Sequence, residues 1–134
     1  MTISDAKDLT ILVIDDEPFV RATISEILAT IGVTMLLEAD SARAAMTQIL
    51  AVRPHLVLCD IHMPGEDGLA FVRRLRNAPD ANVSGIPVVM LTSDSTEGAV
   101  LKAKDLKVEG YLVKPVSVTA LKRAMERALK VPLA

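Results

Sequence analysis

Cysteine is nearly missing from this sequence. Cys59 is the only one among 134 residues, so an internal disulfide and a Cys-based zinc site are both excluded. Histidine occurs twice, and neither His55 nor His62 has a second ligand at metal-binding spacing. Tryptophan is absent, and Tyr111 is the sole tyrosine. A dominant charge is lacking too: 15 basic residues stand against 17 acidic ones, and the net charge of −2 provides no global basic field for nucleic acid. No apolar run is long enough to span a bilayer, and Met1 to Asp8 carries no charged-then-apolar leader pattern. These absences predict a soluble cytoplasmic protein, without direct nucleic-acid contact and without membrane insertion.

What is present is enough chain for one well-buried core. Apolar content of 51% against 24% charged residues marks a globular chain, not a disordered one. Leu9 to Ile14 reads as a strand that stops at Asp15-Asp16. Glu17-Pro18 opens a helix, since proline is tolerated in a first turn. Val20, Ile24, Ile27, Leu28 and Ile31 share its inner face, and Gly32 stops it. Val33 to Ala39 is a second strand. Asp40-Ser41 caps a helix marked by Ala42, Ala45, Met46, Ile49 and Leu50, which Pro54 ends. Leu56 to Asp60 is a third, buried strand, running into the turn Ile61 to Gly65.

Asp67-Gly68 leads into a helix with Leu69, Val72 and Leu75 inward and Arg73, Arg74 and Arg76 toward water. Asn77 to Gly85 is rich in turn formers and reads as a loop. Pro87 to Leu91 is a fourth strand, ending at Thr92. A weaker helix, with Gly98 inside it, covers about Thr96 to Leu106. Gly110 to Val113 is a fifth strand, closed by Lys114-Pro115. Ser117 caps a last helix with Val118, Leu121, Met125 and Leu129 inward.

Strands alternating with helices predict an α/β fold: an open parallel sheet with helices on both faces. Right-handed crossovers place every strand's C-terminal end on one edge, where such folds bind ligands. Asp15, Asp16, Asp60, Thr92 and Lys114 all lie at or just past such ends. Three carboxylates in one cleft ionise together only if a cation joins them; otherwise at least one pKa rises. Mg²⁺ suits an all-oxygen site shared with phosphate. An Asp near its free pKa of about 3.9 is already a nucleophile at neutral pH. Its charge repels an incoming phosphoryl group, and Mg²⁺ with Lys114 removes that penalty, while Thr92 offers a hydroxyl.

The set Asp15-Asp16, Asp60 with Met63-Pro64-Gly65 and Asp67-Gly68, Thr92-Ser93, and Tyr111 before Lys114-Pro115 closely resembles the receiver domain of bacterial two-component response regulators. The resemblance runs from Leu9 to Lys130. It implies a flavodoxin-like (βα)5 sheet of strand order 2-1-3-4-5. It implies that Asp60 accepts a phosphoryl group from a sensor histidine kinase or a histidine phosphotransfer protein. Asp15, Asp16, Asp60 and the backbone carbonyl of His62 would hold Mg²⁺, or Mn²⁺ in its place. Lys114 would bind the phosphoryl group, and the peptide bond before Pro115 would be cis. Thr92 and Tyr111 would form the switch, and His62 and Asp94 would flank the line of water attack and tune hydrolysis.

On this reading residues 1–134 form one receiver domain with a core of about 9–130 and no output domain. It is a phosphoacceptor switch, comparable to chemotaxis regulators, that acts on an unknown downstream protein and catalyses only its own phosphorylation and dephosphorylation. A receiver cut from a larger regulator, or a phosphate sink, is the alternative. A Mg²⁺-dependent phosphatase fits less well, because His62 stands where such enzymes carry a second Asp. A flavodoxin is disfavoured, because Asp15-Asp16 would repel a flavin phosphate. Thr92 taken alone serves equally as a helix cap. Lys102, Lys104, Lys107, Lys122, Arg123, Arg127 and Lys130 fit a solvated face as well as a partner surface.

Overall fold

The computed structural model describes residues 5–93 and 105–133. A 3-10 turn, Ala6–Asp8, leads into β1 (Thr10–Ile14), α1 (Pro18–Ile31), β2 (Met35–Ala39), α2 (Ala42–Val52) and β3 (Leu56–Asp60). There follow α3 (Gly68–Arg76), a one-turn α4 (Ala81–Ser84), β4 (Val88–Thr92), β5 (Gly110–Val113) and α5 (Val118–Leu129). The strands form one parallel sheet in the order β2-β1-β3-β4-β5. The helix expected over about 96–106 falls almost wholly outside the described residues.

The near-continuous apolar runs are explained by burial on both sheet faces. Successive strand residues point to opposite faces. Leu12, Ile14, Val57, Cys59, Val88 and Met90 pack beneath Ala45 and Ile49 of α2 and Phe71, Val72 and Leu75 of α3. Ile11, Val13, Leu56, Leu58, Val89 and Leu91 pack beneath Ile24 and Leu28 of α1 and Leu121 and Met125 of α5. Both cores therefore grip β1, β3 and β4.

Local chemistry sets the element ends. Pro18 opens α1, and Gly32 closes it with φ 113°, its N–H donating to Leu28 and Ala29. Ser41, Asp67 and Ser117 each accept a backbone N–H in the first turn of the helix that follows. His55 clips β1 to the start of β3: its N–H donates to Thr10 O at 2.8 Å, and its Nδ1 accepts Thr10 N–H at 2.9 Å.

Four details depart from the sequence reading. β2 starts at Met35, two residues late. The loop after α3 contains α4, because Asp80 caps Asn82 and nucleates a turn. Val118, expected inward, is exposed, since the inner face of its helix is filled by Leu121 with Met125. Arg76 does not face water; its side chain is only 15% exposed. It donates to the carbonyls of Ser84, Ile86, Leu106 and Lys107 and to Glu109 Oε1, using all five N–H groups of the guanidinium. Glu109 Oε1 also accepts Val88 N–H at 2.8 Å. The pair thus ties the end of α3 to the starts of β4 and β5.

Candidate functional site

Register builds the site. Ile14 pairs with Cys59, so Asp15 and Asp60 emerge side by side from neighbouring strands. Thr92 pairs with Val113, and Lys114 follows, its N–H donating to Thr92 O at 2.7 Å. The Lys114–Pro115 peptide bond is cis, as the resemblance implied. The sheet edge therefore brings together Asp15, Asp16, Asp60, Thr92 and Lys114. Asp15 is 2% exposed, Asp60 5% and Thr92 fully buried, whereas Asp16 is half-buried.

Carboxylate oxygens of Asp15, Asp16 and Asp60 lie within 4.8 Å of one another. Lys114 Nζ stands 2.8 Å from Asp15 Oδ2 and 3.5 Å from Asp60 Oδ1. Asp15 Oδ1 accepts the N–H of Glu17 at 2.9 Å. Three carboxylates thus face a single ammonium, an arrangement short of positive charge.

The titration behaviour of the site follows. Burial, then the charge of Asp15, pushes the Asp60 carboxyl above its ordinary value, against the pull of Lys114 and a backbone hydrogen bond from His62. Burial works to lower the pKa of Lys114, but the hydrogen bond to Asp15 and the charges of Asp60 and Asp15 raise it overall. Asp60 is therefore a less acidic carboxyl than a free Asp. Burial, then the charge of Asp60, holds the Cys59 thiol far above the thiol range, so Cys59 is an inert core residue beside the site.

The donor set fits a hard divalent cation. It is all oxygen, carries excess negative charge, and combines two buried carboxylates with a more accessible one. Lys114 compensates part of that charge in the described structure.

The turn after β3 is rigid at both ends. Ile61 and Met63 are buried while His62 is exposed, and Gly65 takes φ 78°. Gly68 N–H donates to Ile61 O at 2.8 Å, pinning the start of α3 beneath Asp60. Tyr111 pairs with Met90, two residues before Thr92, so Tyr111 and Thr92 share one face of the sheet. Tyr111 is half-buried against the core under α3. Asp94 lies outside the described residues.

Two features were not legible in the sequence. Arg21, on α1, donates through Nη1 to Asp15 O at 2.6 Å and through Nε to Glu38 Oε1 at 3.2 Å. An apolar groove of about 310 Å³ borders the site, lined by Phe19, Val20, Ile24, Ile27, Pro115 and the stem of Lys114. Phe19 is 82% exposed at its edge. An aromatic three residues beyond a strand-end acid pair, Phe19 after Asp15-Asp16, was the one available signal for the groove.

Comparison with known proteins adds family context. Residues 11–126 match the sequence model of the response regulator receiver domain. The chemotaxis protein CheY of Pseudomonas aeruginosa is 29% identical over 119 residues, spanning 89% of this chain and 94% of that protein. The positive alginate biosynthesis regulatory protein of the same species is 36% identical over 124 residues, 90% of this chain but 47% of that protein. A solved structure of a putative response regulator from Chloroflexus aurantiacus superposes with TM-score 0.84 at 27% identity, covering 91% of this chain and 98% of that one.

Proposed function

The chain belongs to the response regulator receiver family, and from that premise we propose that Asp60 is its phosphoacceptor and that phosphorylation switches its contacts with a partner protein. The observation that carries this reading is the place of Asp60: at the end of the central buried strand, with Asp15 on one side and Lys114 3.5 Å away.

A carboxylate oxygen of Asp60 attacks the phosphorus of a phosphohistidine on a sensor kinase or a histidine phosphotransfer protein. The P–O bond to Asp60 forms, the P–N bond breaks, and the donor imidazole leaves with the electron pair and takes up a proton. Lys114 exchanges its hold on Asp15 for a phosphoryl oxygen. Its single ammonium offsets charge on the transferring group in a site walled by apolar strands. The Thr92 hydroxyl donates to a second phosphoryl oxygen. Asp15, Asp16, Asp60 and the His62 carbonyl would hold Mg²⁺, or Mn²⁺, and the bound cation would neutralise the carboxylates and the phosphoryl oxygens that otherwise repel each other.

Thr92 and Tyr111 lie on one sheet face, which favours the pair as the switch: a shift of Thr92 toward the phosphoryl group frees space that the Tyr111 ring takes up. Exposed His62, with Asp94, tunes attack by water. The groove beside Lys114 receives the donor protein, because it is mostly apolar and shares Lys114 with the acceptor site. Output is protein contact in the cytoplasm, and the only chemistry is the chain's own phosphorylation and dephosphorylation.

The test is intact-protein mass after incubation with Mg²⁺ and acetyl phosphate. The wild type gains one phosphoryl group; Asp60→Asn does not, and EDTA suppresses the gain. Labelling of Asp60→Asn to the wild-type level would overturn the assignment. Release of phosphate from ordinary phosphomonoesters would favour a phosphatase instead.

A further inference from the structure

Arg21 is the one described cation besides Lys114 that touches the acidic end of β1, and it does so through the backbone. Its side chain is 16% exposed, held between Asp15 O and Glu38. Glu38 is in register with Val13, and its own carbonyl accepts Gln48 Nε2 at 2.6 Å. The anchor therefore stands on β2 and α2, outside the loop that it restrains.

The Asp15 peptide is fixed from two directions. Asp15 N–H donates to Ala39 O at 3.1 Å, and Asp15 C=O accepts Arg21 Nη1. The peptide unit joining Asp15 to Asp16 is planar, so fixing its carbonyl also fixes the N–H and Cα of Asp16. That plane fixes the point on the backbone from which the Asp16 side chain leaves. Asp15 has further holds through Glu17 N–H and Lys114. Among the described residues no hydrogen bond or ion pair holds the Asp16 carboxylate itself, so its aim depends on the backbone.

We propose that Arg21 is a positioning residue for the cation site: it orients Asp16 through the Asp15 carbonyl, and so sets the affinity for Mg²⁺. The proposal rests on reading Asp15, Asp16 and Asp60 as that site. Arg21 is not a second counter-ion, since its Nε side is paired with Glu38. A guanidinium reaches two acceptors at once through a rigid fork, which a lysine cannot copy. Residues that orient metal ligands in this indirect way change metal affinity by about 10–100-fold when removed.

The experiment measures Mn²⁺ binding by electron paramagnetic resonance for the wild type, Arg21→Ala, Arg21→Lys, Glu38→Gln and Asp16→Asn. Both Arg21 variants are expected to bind about tenfold more weakly or worse, Glu38→Gln with a smaller loss, and Asp16→Asn without saturation. Acetyl phosphate labelling supplies a second readout. In Arg21→Lys the half-saturating Mg²⁺ concentration should rise by the factor lost in binding, while the rate at saturating Mg²⁺ stays at the wild-type level. A lower plateau with unchanged half-saturation would mean that Arg21 is a structural strut only, and would overturn the proposal. So would wild-type Mn²⁺ affinity in Arg21→Lys when Asp16→Asn has lost it. If Asp16→Asn also binds as the wild type does, the cation site is elsewhere and the proposal falls with the reading beneath it.

Discussion

Gly68 lies so close to Asp60 that a β-carbon built on it would overlap the Asp60 carbonyl oxygen. The start of α3 is packed directly onto the backbone that carries the candidate phosphoacceptor. Gly68→Ala has no flexible neighbour to displace, because the atoms in its way are main chain. The expected outcome is a loss of about 3 kcal/mol, at the upper end for overpacking, together with slower labelling of Asp60. Gly65→Ala is the control. It meets nothing within 4 Å but has φ 78°, so it should lose only about 1–2 kcal/mol, with the labelling rate near wild type. Urea denaturation and mass-resolved labelling of both variants check the pair; equal effects would refute the distinction.

The raised pKa of Asp60 has a stability consequence whose sign is fixed. The folded chain holds the Asp60 proton more tightly than the unfolded chain does, chiefly because burial disfavours the charge. Ionised Asp60 therefore weakens folding above its folded-state pKa. That weakening is relieved as pH falls through the folded value toward the unfolded value of about 3.9. Lys114, with its pKa raised, stays charged throughout this window. Asp60→Asn should be the more stable protein at pH 7 with EDTA present, and its advantage should shrink as the pH is lowered. Urea midpoints at pH 7 and pH 5 measure this. An advantage that grows on acidification would show that the attraction of Lys114 outweighs burial.

Arg76 and Arg74 are two positions apart on α3 and should behave very differently. Arg76→Met leaves four carbonyls and Glu109 without their partner, in a setting where the side chain is mostly buried. Removing one member of a buried pair of this kind costs about 3–5 kcal/mol. Arg74 forms its pair with Glu66 in the open, and Arg74→Ala should cost less than about 1 kcal/mol. Chemical denaturation of the two variants is sufficient, and similar losses would contradict the reading of Arg76 as a latch.

Phe19 gives a kinetic prediction. It is exposed beside Lys114 and contributes little to the core, so Phe19→Ala should leave stability within about 0.5 kcal/mol of the wild type. Labelling by acetyl phosphate, a donor too small to use the groove, should be unchanged. Transfer from a phosphorylated histidine phosphotransfer protein should slow about tenfold or more, the loss of an aromatic contact at a docking surface. Equal slowing with both donors would place Phe19 in the chemistry instead of the docking.

Most of the sheet and the acidic cluster could be read from the chain because each rests on local signals. Apolar runs of strand length end in Asp15, Asp60 and Thr92, and the ends of parallel strands must meet. Long-range geometry was harder to read. Arg76 sat on a face patterned as solvent-exposed, yet the four carbonyls that draw it inward lie 8 to 31 residues away in sequence. Arg21 likewise finds Glu38 only because β2 lies beside β1. Val118 failed in the opposite way: Leu121, Ala124, Met125 and Ala128 fill the buried face of α5 and leave its first residue outside. Asp94 and most of the helix expected over 96–106 lie outside the described residues.

The pairing of Ile14 with Cys59 sets the two buried acids shoulder to shoulder at the middle of the sheet. That placement sets two buried carboxylates in an apolar setting with one ammonium, Lys114, against them. A population of variants screened for heat resistance alone, with no demand for signalling, would be expected to lose the acid at position 60 early, in favour of an amide or a small neutral residue. Survival of that acid in a lineage is then a record of continuing use, independent of any assay of the protein.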